Sequence, residues 1–199
     1  RNHPEIGNGY FRNEERSMFD WDYAIINNRY ISPYQLINKT WPPKNAIKVI
    51  YAEGVPVCAI LERKSKDDLY GYEAQLAGKT KEALKYFEHA LKTDDQDEMI
   101  YYNFATALYD DGQTQKADSA LKRCLEINPS FDLALMYLGN IAVVQSNTDE
   151  AVMYYKKLIS SNRKYFEAYV ELSKLIVKKD VLKARDLLQT CLNMNPRFK

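Results

Sequence analysis

Cysteine is scarce in this sequence, which argues against the sites that depend on it. The chain of 199 residues has only Cys58, Cys124 and Cys191, with no C-x-x-C pair and no Cys/His cluster, so a structural zinc site is not expected. Cys124 and Cys191 occupy equivalent positions of a repeat described below, which places them about 20 Å apart. Because a disulfide needs Cα atoms within about 7 Å, we expect three small, buried, reduced thiols, and cysteine usage leaves the compartment open.

An excess of charge of either sign is also missing. Lys plus Arg number 28 and Asp plus Glu number 27, for a net charge of +1, so the composition does not favour a nucleic-acid or anionic-lipid binder. No run approaches the roughly 20 apolar residues of a membrane helix, and the start does not resemble a signal peptide. Hydrophobic residues make up 46%, which is enough for a sizeable core. Because the first residue is Arg1 rather than Met, we expect a processed chain or a piece of something longer.

Catalytic motifs are absent as well. The sequence has no Gly-rich phosphate loop, no nucleophile elbow and no Ser/His/Asp ordering. One histidine, His89, falls at an outward position of the repeat and is interpreted as a surface residue. The other, His3, gives a metal site only with irregularly spaced Glu14, Asp20 or Asp22, and residues two apart on a helix do not share a face. The sequence predicts no catalytic residue, no metal and no cofactor, and an enzyme centred on His3, Asp20 and Asp22 is the least favoured class.

What the sequence does contain is an internal repeat of about 34 residues. Small residues recur at this spacing from residue 83 onward, at Ala83, Ala117, Ala151 and Ala184. Four residues after each of them stands a large side chain, namely Phe87, Leu121, Tyr155 and Leu188. Twelve residues before the first three stand Gly71, Ala105 and Gly139, with Gly78, Gly112, Pro129 and Pro196 at further fixed offsets.

This pattern is typical of a helical hairpin. Small residues at matched points of two antiparallel helices let the axes approach, and large residues fill the seam beside them. Gly78 and Gly112 fall where the first helix must end, a position that favours positive φ. Pro129 and Pro196 follow the second helix, which must end before them. One hairpin cannot bury its apolar face alone, so the hairpins are expected to stack.

These positions resemble the tetratricopeptide repeat (TPR). The resemblance covers about residues 66–199 as four units, at 66–97, 98–131, 132–165 and 166–199. Unit four is one residue short in its turn. The other departures from the family pattern are Asp95, Ser146, Leu158 and Arg163. The resemblance implies a mainly α fold, a right-handed α-α superhelix of helical hairpins. The last repeat is uncapped, and its Leu187, Leu188 and Leu192 predict either self-association or a missing continuation.

Residues 1–65 lack the repeat and are rich in aromatic side chains. Helical spacing of apolar residues predicts a helix over about 14–30, and Ser32-Pro33 predicts the start of a short helix that ends near Asn38. Alternation about Glu53-Gly54 predicts a β-hairpin over about 46–63, with Gly54 supplying a positive φ. Because Pro56 lacks an amide donor, its strand is expected at a sheet edge.

The N-terminal segment 1–65 has a second, weaker resemblance to a known family. The run from Phe19 to Ile26, then Trp41-Pro42-Pro43, then the hairpin at Gly54 leading into repeats, is similar to the soluble C-terminal part of bacterial mannosyltransferase-like multi-span membrane proteins. The resemblance implies that the chain is an appended domain of a membrane-embedded glycosyltransferase-like protein. The sequence therefore leaves open an extracytoplasmic location, as part of a membrane-anchored parent, and a cytoplasmic one.

The TPR resemblance also implies a binding groove, because the first helix of each unit lines the concave face in that family. The positions carried over residue by residue are Tyr72, Gln75, Tyr102, Asn103, Thr106, Tyr109, Met136, Tyr137, Asn140, Val143, Val170 and Lys174. Tyrosines, a methionine and amides suit an extended peptide or an amphipathic helix. The alternative is that neighbouring repeats or the N-terminal segment already cover these side chains. The clamp that grips acidic chaperone tails is not expected, because Asp68, Tyr72, Leu133 and Tyr137 replace its cationic and amide residues and only Asn103 fits.

Taken together, the sequence predicts a non-catalytic protein-interaction or scaffold module that binds a peptide or helix in its groove. The partner is a protein of unknown identity, with no nucleic acid and no membrane insertion by this chain. The competing hypothesis is the accessory domain of a membrane glycosyltransferase, in which the repeats only pack.

Overall fold

The computed structural model describes residues 23–27, 42 and 46–194 of the chain. Eight helices and three strands lie within these ranges, so the fold is mainly α, as predicted. The chain divides into two compact units, Arg1–Pro129 and Ser130–Lys199. The first unit holds the strands and four helices, and the second holds four helices.

A three-stranded antiparallel sheet lies at the start of the first unit. Its strands are β1 (Tyr23–Asn27), β2 (Ala46–Ala52) and β3 (Val55–Glu62), in the order β1-β3-β2. The hairpin predicted over about 46–63 is confirmed as β2 and β3. Glu53 and Gly54 form its turn with φ of 50° and 78°, the pair of positive values that a two-residue type I′ turn requires.

The helix predicted over about 14–30 is wrong where the structure describes it, because Tyr23–Asn27 is strand β1 paired with Cys58–Glu62. The run contains two adjacent isoleucines, which favour strands when a partner strand is available, and a short apolar run does not separate the two states by itself. The remainder of that predicted helix, and the short helix predicted from Ser32 to Asn38, lie outside the described residues.

The edge position predicted for Pro56 is also wrong, because β3 is the central strand. The described pairing of β1 with β3 covers Cys58–Glu62. On the other side, the register between β2 and β3 shifts between Ile50 and Tyr51, next to the Tyr51–Pro56 pair. Pro56 therefore lies near the start of a central strand, next to an irregularity in its ladder with β2, where proline is tolerated.

The eight helices follow one another as antiparallel hairpins. In the first unit they are α1 (Asp67–Leu76), α2 (Thr80–Thr93), α3 (Glu98–Asp110) and α4 (Thr114–Ile127). In the second unit they are α5 (Asp132–Val144), α6 (Thr148–Ser161), α7 (Phe166–Ile176) and α8 (Val181–Met194). Each unit thus contains two hairpins whose helices pack against each other.

Three of the four hairpin turns use the same left-handed helix end. Gly78 and Gly112 have φ of 71° and 79°, as predicted, and Ser146 takes the equivalent place with φ of 60°. In each turn two backbone amides bond back into the preceding helix; Lys79 N to Ala74 O at 2.9 Å is one example. This is the Schellman pattern, in which glycine is the favoured residue. The fourth turn differs, because Val177 is right-handed with φ of −55°.

Close approach of the paired helices depends on the small residues of the repeat. A Cβ atom built on Gly71 would lie 2.7 Å from Cε1 of Phe87, and one on Gly139 would lie 2.3 Å from Cε1 of Tyr155. The equivalent pair in the second hairpin is Ala105 and Leu121, both fully buried. The repeat positions therefore form the seam of each of these hairpins, as the spacing predicts.

Buried charge joins the end of the sheet to the first hairpin. Arg63, directly after β3, donates from Nη2 to Oδ2 of Asp68 on α1 at 3.1 Å, and the side chains are 4% and 10% exposed. Nζ of Lys64 lies 3.3 Å from Oδ2 of Asp94, the residue that follows α2. The sheet and the first hairpin are thus connected through ion pairs that cross residue 66.

Candidate functional site

The predicted groove residues fall on the first helices of the four hairpins. In the first unit they lie on α1 and α3, and in the second unit on α5 and α7. The six in the first unit are Tyr72, Gln75, Tyr102, Asn103, Thr106 and Tyr109. The six in the second unit are Met136, Tyr137, Asn140, Val143, Val170 and Lys174.

In the first unit, Gln75 connects α1 to α3. Its Nε2 donates to Oγ1 of Thr106 at 3.2 Å and to Oδ2 of Asp110 at 2.9 Å. The Thr106 hydroxyl in turn donates to the backbone oxygen of Asn103 at 2.8 Å. The structure therefore brings two predicted groove residues into direct contact and adds Asp110, which the sequence reasoning missed. The signal in the sequence was the spacing of Gln75 and Asp110, two polar residues about one repeat period apart on consecutive first helices.

Asn103 is the most distinctive side chain of this set. It is only 5% exposed, yet its Nδ2 has no hydrogen-bond partner in the described part of the chain. A buried donor without a partner costs about 1–3 kcal/mol, so native proteins rarely retain one without a reason. Asn103 shares α3 with Thr106, one turn away, so this donor lies next to the polar bridge.

The remaining first-unit residues offer amphipathic area. Tyr72, Tyr102 and Tyr109 are all half-buried, so each keeps part of its ring or hydroxyl accessible. Tyrosine combines apolar area with a hydrogen-bonding tip and loses little conformational freedom on binding. These three side chains could contact an extended segment beside the Asn103 amide.

In the second unit, Asn140 is held by a buried tyrosine. Tyr155 donates from its hydroxyl to Oδ1 of Asn140 at 2.8 Å. Burial, and secondarily the negative charge of Glu171, raises the pKa of Tyr155 to about 12. The hydroxyl therefore stays protonated as a donor across the physiological range, and it fixes the orientation of the exposed Asn140.

Part of the second-unit set is already used by the fold. Met136 packs against the core cluster that contains Ala142 and Tyr155. Lys174 forms an exposed ion pair with Glu171 at 2.7 Å. Val143 remains 40% exposed, and Tyr137 and Val170 are half-buried. The alternative that internal packing covers the groove residues thus applies in part to Met136 and does not apply to Val143.

His89 lies on α2 at an exposed position, and it has one partner that the sequence did not indicate. Its Nδ1 is 2.6 Å from Oδ2 of Asp67, which also accepts from the hydroxyl of Ser65. Burial opposes ionisation of Asp67, but the hydrogen bonds of Ser65 and His89 outweigh it and lower the pKa of the carboxyl. Because the carboxylate stands between Ser65 and His89, the three do not form a nucleophile with its base.

Other chemistry is sparse in the parts of the chain that are described. No group of three or more His, Cys, Asp or Glu residues there could hold a metal ion, and the region of His3, Asp20 and Asp22 lies outside them. The three cysteines are free, and burial raises the pKa of Cys124 well above its ordinary value, so this thiol is a poor nucleophile. At the position where the chaperone clamp requires a lysine, Asp68 is buried and bonded to Arg63.

Comparison with known proteins points to one family. A family model described as the cilia and flagella-associated protein 70 middle TPR-like domain matches residues 70–171. The mouse protein BBSome complex member BBS4 is 31% identical over 104 residues, which is 51% of this chain and 20% of that protein. The chain spans about a fifth to a quarter of the curated relatives that it matches.

Solved structures show the same fold at lower identity. A crystal structure of MamA superposes with a TM-score of 0.59 at 21% identity, over 64% of this chain and 75% of MamA. The first TPR of Spaghetti (RPAP3), solved with the HSP90 peptide SRMEEVD, gives a TM-score of 0.50 at 23% identity, over 53% of this chain and 86% of that one. The TPR-type fold is therefore confirmed.

The second resemblance, to mannosyltransferase-like membrane proteins, stays a prediction. Much of the sequence that carries it, including Phe19, Trp21 and Trp41, lies outside the described residues. Within the described ranges, no helix combines the length and the apolar character needed to span a bilayer.

Proposed function

The chain belongs to the family of TPR-like domains represented by the middle domain of cilia and flagella-associated protein 70, and from this premise we propose that it is a non-catalytic protein-interaction module. We infer that it is organised as four TPR-like units, at 66–97, 98–131, 132–165 and 166–199, whose first helices line a concave groove. In this groove it binds an extended peptide or an amphipathic helix of a partner protein.

The observation that carries the proposal is the buried Nδ2 of Asn103 without a partner. A backbone carbonyl of an extended peptide is an acceptor of the required kind, and it would satisfy a donor that otherwise costs stability once the side chains that cover this amide move aside. The bridge from Gln75 to Thr106 and Asp110 fixes the spacing between α1 and α3 around this amide. The ordering cost of binding would then fall mainly on the partner.

The chemistry of the groove suggests which peptides it selects. Tyr72, Tyr102 and Tyr109 offer apolar area and hydroxyl groups, whereas Asp110 adds an exposed carboxylate. Without the cationic clamp, an acidic C-terminal tail like that of the peptide in the RPAP3 structure is not the proposed ligand. We propose a segment with apolar side chains and free backbone acceptors.

Selection of a random peptide library on the wild-type chain, followed by fluorescence anisotropy on the selected peptide, tests the proposal. Asn103→Ala removes the donor and its desolvation penalty, so we expect unchanged or higher thermal stability with affinity lowered about tenfold. The pair Tyr102→Ala and Tyr137→Ala should abolish capture while keeping the helical circular-dichroism signal. Tyr86→Ala, on α2, is the matched control; its ring packs at a tilted angle against that of Tyr70, with the ring centroids 5.8 Å apart. If the selected peptide binds all these variants equally, the groove is not the site.

Self-association through the last repeat is a second proposal about partners. On α8, Leu188 and Leu192 are 38% and 43% exposed, whereas Leu187 is half-buried. Analytical ultracentrifugation of the wild type and of Leu192→Lys tests this proposal. If the chain self-associates through the leucines of α8, the introduced charge should abolish the oligomer, whereas an oligomer formed through another surface should persist.

A further inference from the structure

The second unit contains a groove that the proposed peptide site does not use. It has a volume of about 680 Å³ and lies between α6 and the first half of α8, with α7 as its floor. Six aliphatic side chains line it, namely Val152, Ile159, Leu172, Leu175, Ile176 and Leu187. On α7 these residues alternate with Val170 and Lys174 at a spacing that places them on the opposite side of the helix. The volume falls within the roughly 300–1,000 Å³ of small-molecule sites.

Three lysines stand at the rim of this groove. Lys156, Lys179 and Lys183 line it with exposed side chains, and none of them forms an ion pair within the ranges that the structure describes. Two carboxylates share the rim, and one of them, Asp180, accepts from the backbone amide of Lys183 at 2.9 Å. The groove therefore has a small excess of positive charge.

Most of the charged residues lie towards one end of the groove. Consecutive antiparallel helices place the beginnings of α6 and α8 at the same end, next to the end of α7. Lys179, Lys183, Asp149 and Asp180 lie at that end, whereas Ile159 lies on α6 about 16 Å further along, at 1.5 Å per residue from Thr148. Between that end and Ile159 the lining is mainly aliphatic, with Lys156 about 12 Å along α6 and Ser160 beside Ile159.

We propose that this groove binds a single-chain aliphatic anion of the fatty-acid type. Its head would lie beside Lys179 and Lys183, and its chain would run over Leu175 and Leu172 towards Ile159. Among the residues that the structure describes, the apolar walls are aliphatic and carry no aromatic ring, which suits a flexible alkyl chain better than a planar ligand. Lys179 and Lys183, which form no ion pair among the described residues, supply the positive charge that a carboxylate head needs. This site goes beyond the proposed peptide groove and does not depend on it.

Fluorescence titration with dansylundecanoic acid, using the full chain, tests the proposal. We expect saturable binding that is reversed by laurate, with dodecanol and dodecyltrimethylammonium weaker competitors by about tenfold or more, because they lack the anionic head. Equal displacement by the alcohol or the cation would overturn the proposal. So would a signal seen only with phosphatidylglycerol vesicles, which would indicate a membrane surface, or stronger displacement by an acidic amphipathic peptide.

Matched variants locate the site. The triple change Lys156→Gln, Lys179→Gln and Lys183→Gln should weaken probe binding about tenfold. Lys81→Gln, Lys85→Gln and Lys92→Gln, on exposed positions of α2, remove the same charge elsewhere and should have less than about a twofold effect. Val152→Phe fills the groove and should abolish binding with an unchanged or higher melting temperature.

Equal loss in both lysine variants, or full binding by Val152→Phe, would overturn the proposal. Asn103→Ala should bind the probe like the wild type, so failure of this site and failure of the peptide groove are distinguishable.

Discussion

The hairpins α3–α4 and α5–α6 solve the same packing problem with different residues. In α3–α4, the second hairpin along the chain, Ala105 on one helix and Leu121 on the other occupy the seam, and both are fully buried. In α5–α6, the third hairpin, Gly139 leaves room for the larger ring of Tyr155, whose Cε1 would lie 2.3 Å from any Cβ on the glycine. The hairpin α1–α2 uses Gly71 and Phe87 in the same manner as α5–α6. The difference teaches that the repeat conserves the combined volume of the pair and not the identity of either residue.

The strongest way to break the comparison is Gly139→Ala. In an open helix this change would stabilise by about 1 kcal/mol through helix propensity. Here the new methyl group overlaps Tyr155, so we expect a net destabilisation of about 1–3 kcal/mol, measured by urea unfolding. Gly71→Ala should cost less, because the corresponding distance to Phe87 is 2.7 Å.

The control for this prediction is the residue pair of the second hairpin. Gly139→Ala combined with Tyr155→Leu reproduces Ala105 and Leu121, and should recover most of the stability lost by Gly139→Ala alone. A double-mutant cycle with no coupling between the two changes would contradict the conserved-volume explanation.

Tyr155→Phe tests what the hydroxyl of Tyr155 contributes to stability in addition to the volume of its ring. It removes the hydrogen bond to Asn140, 2.8 Å long, and should lower the free energy of unfolding by about 0.5–1.5 kcal/mol. Leu121 in the second hairpin has no such polar contact to lose, so the effect is specific to α5–α6. Urea unfolding near neutral pH provides the measurement, with Tyr86→Phe as the control.

Alkaline pH sharpens the same comparison. Because folding raises the pKa of Tyr155 to about 12 from about 10 in the unfolded chain, the unfolded state releases this proton first. The stabilising contribution is complete below the unfolded value and is lost as the pH rises towards the folded one. The wild type should therefore lose more stability than Tyr155→Phe between these values, and parallel curves would argue against it.

The smallest expected effect concerns the turns of the two hairpins. Gly112 and Ser146 occupy equivalent places with φ of 79° and 60°, a region where a side chain is strained. Ser146→Gly should raise the free energy of unfolding by about 0.5 kcal/mol, since relief of strain is partly offset by greater freedom of the unfolded chain. Gly112→Ser should lower it by a similar amount. Thermal melts of both variants check the pair, and a shift of the same sign in both would refute it.

The helices could be predicted because equivalent residues recur at the same position in several repeats. Gly78 and Gly112 indicated the same turn, and their recurrence placed the third turn at Ser146 even without a glycine. The N-terminal strands lacked this redundancy. β1 was predicted as helix because its identity depends on pairing with β3, whose partner residues lie 31 to 39 positions further along the sequence, and this long-range contact leaves no local period.

The groove was predicted only as a set of positions. Family spacing placed Gln75, Asn103 and Thr106 on first helices, but it did not indicate that Gln75 bonds across to Asp110 or that the Asn103 amide is buried without a partner. These facts depend on rotamers and on the distance between α1 and α3. The aliphatic groove of the second unit was missed for a related reason, since it depends on how far α8 lies from α6.

The buried pair of Arg63 and Asp68 has a practical consequence for any attempt to isolate the repeats. A chain trimmed to begin at Lys66 would retain the carboxylate in the side of α1 but lose the guanidinium that compensates it, and removal of one partner of a buried ion pair is strongly destabilising. Such a fragment would fold best with Asp68→Asn. The boundary between the aromatic-rich segment 1–65 and the repeats is therefore not a place where the protein can be truncated without a compensating substitution.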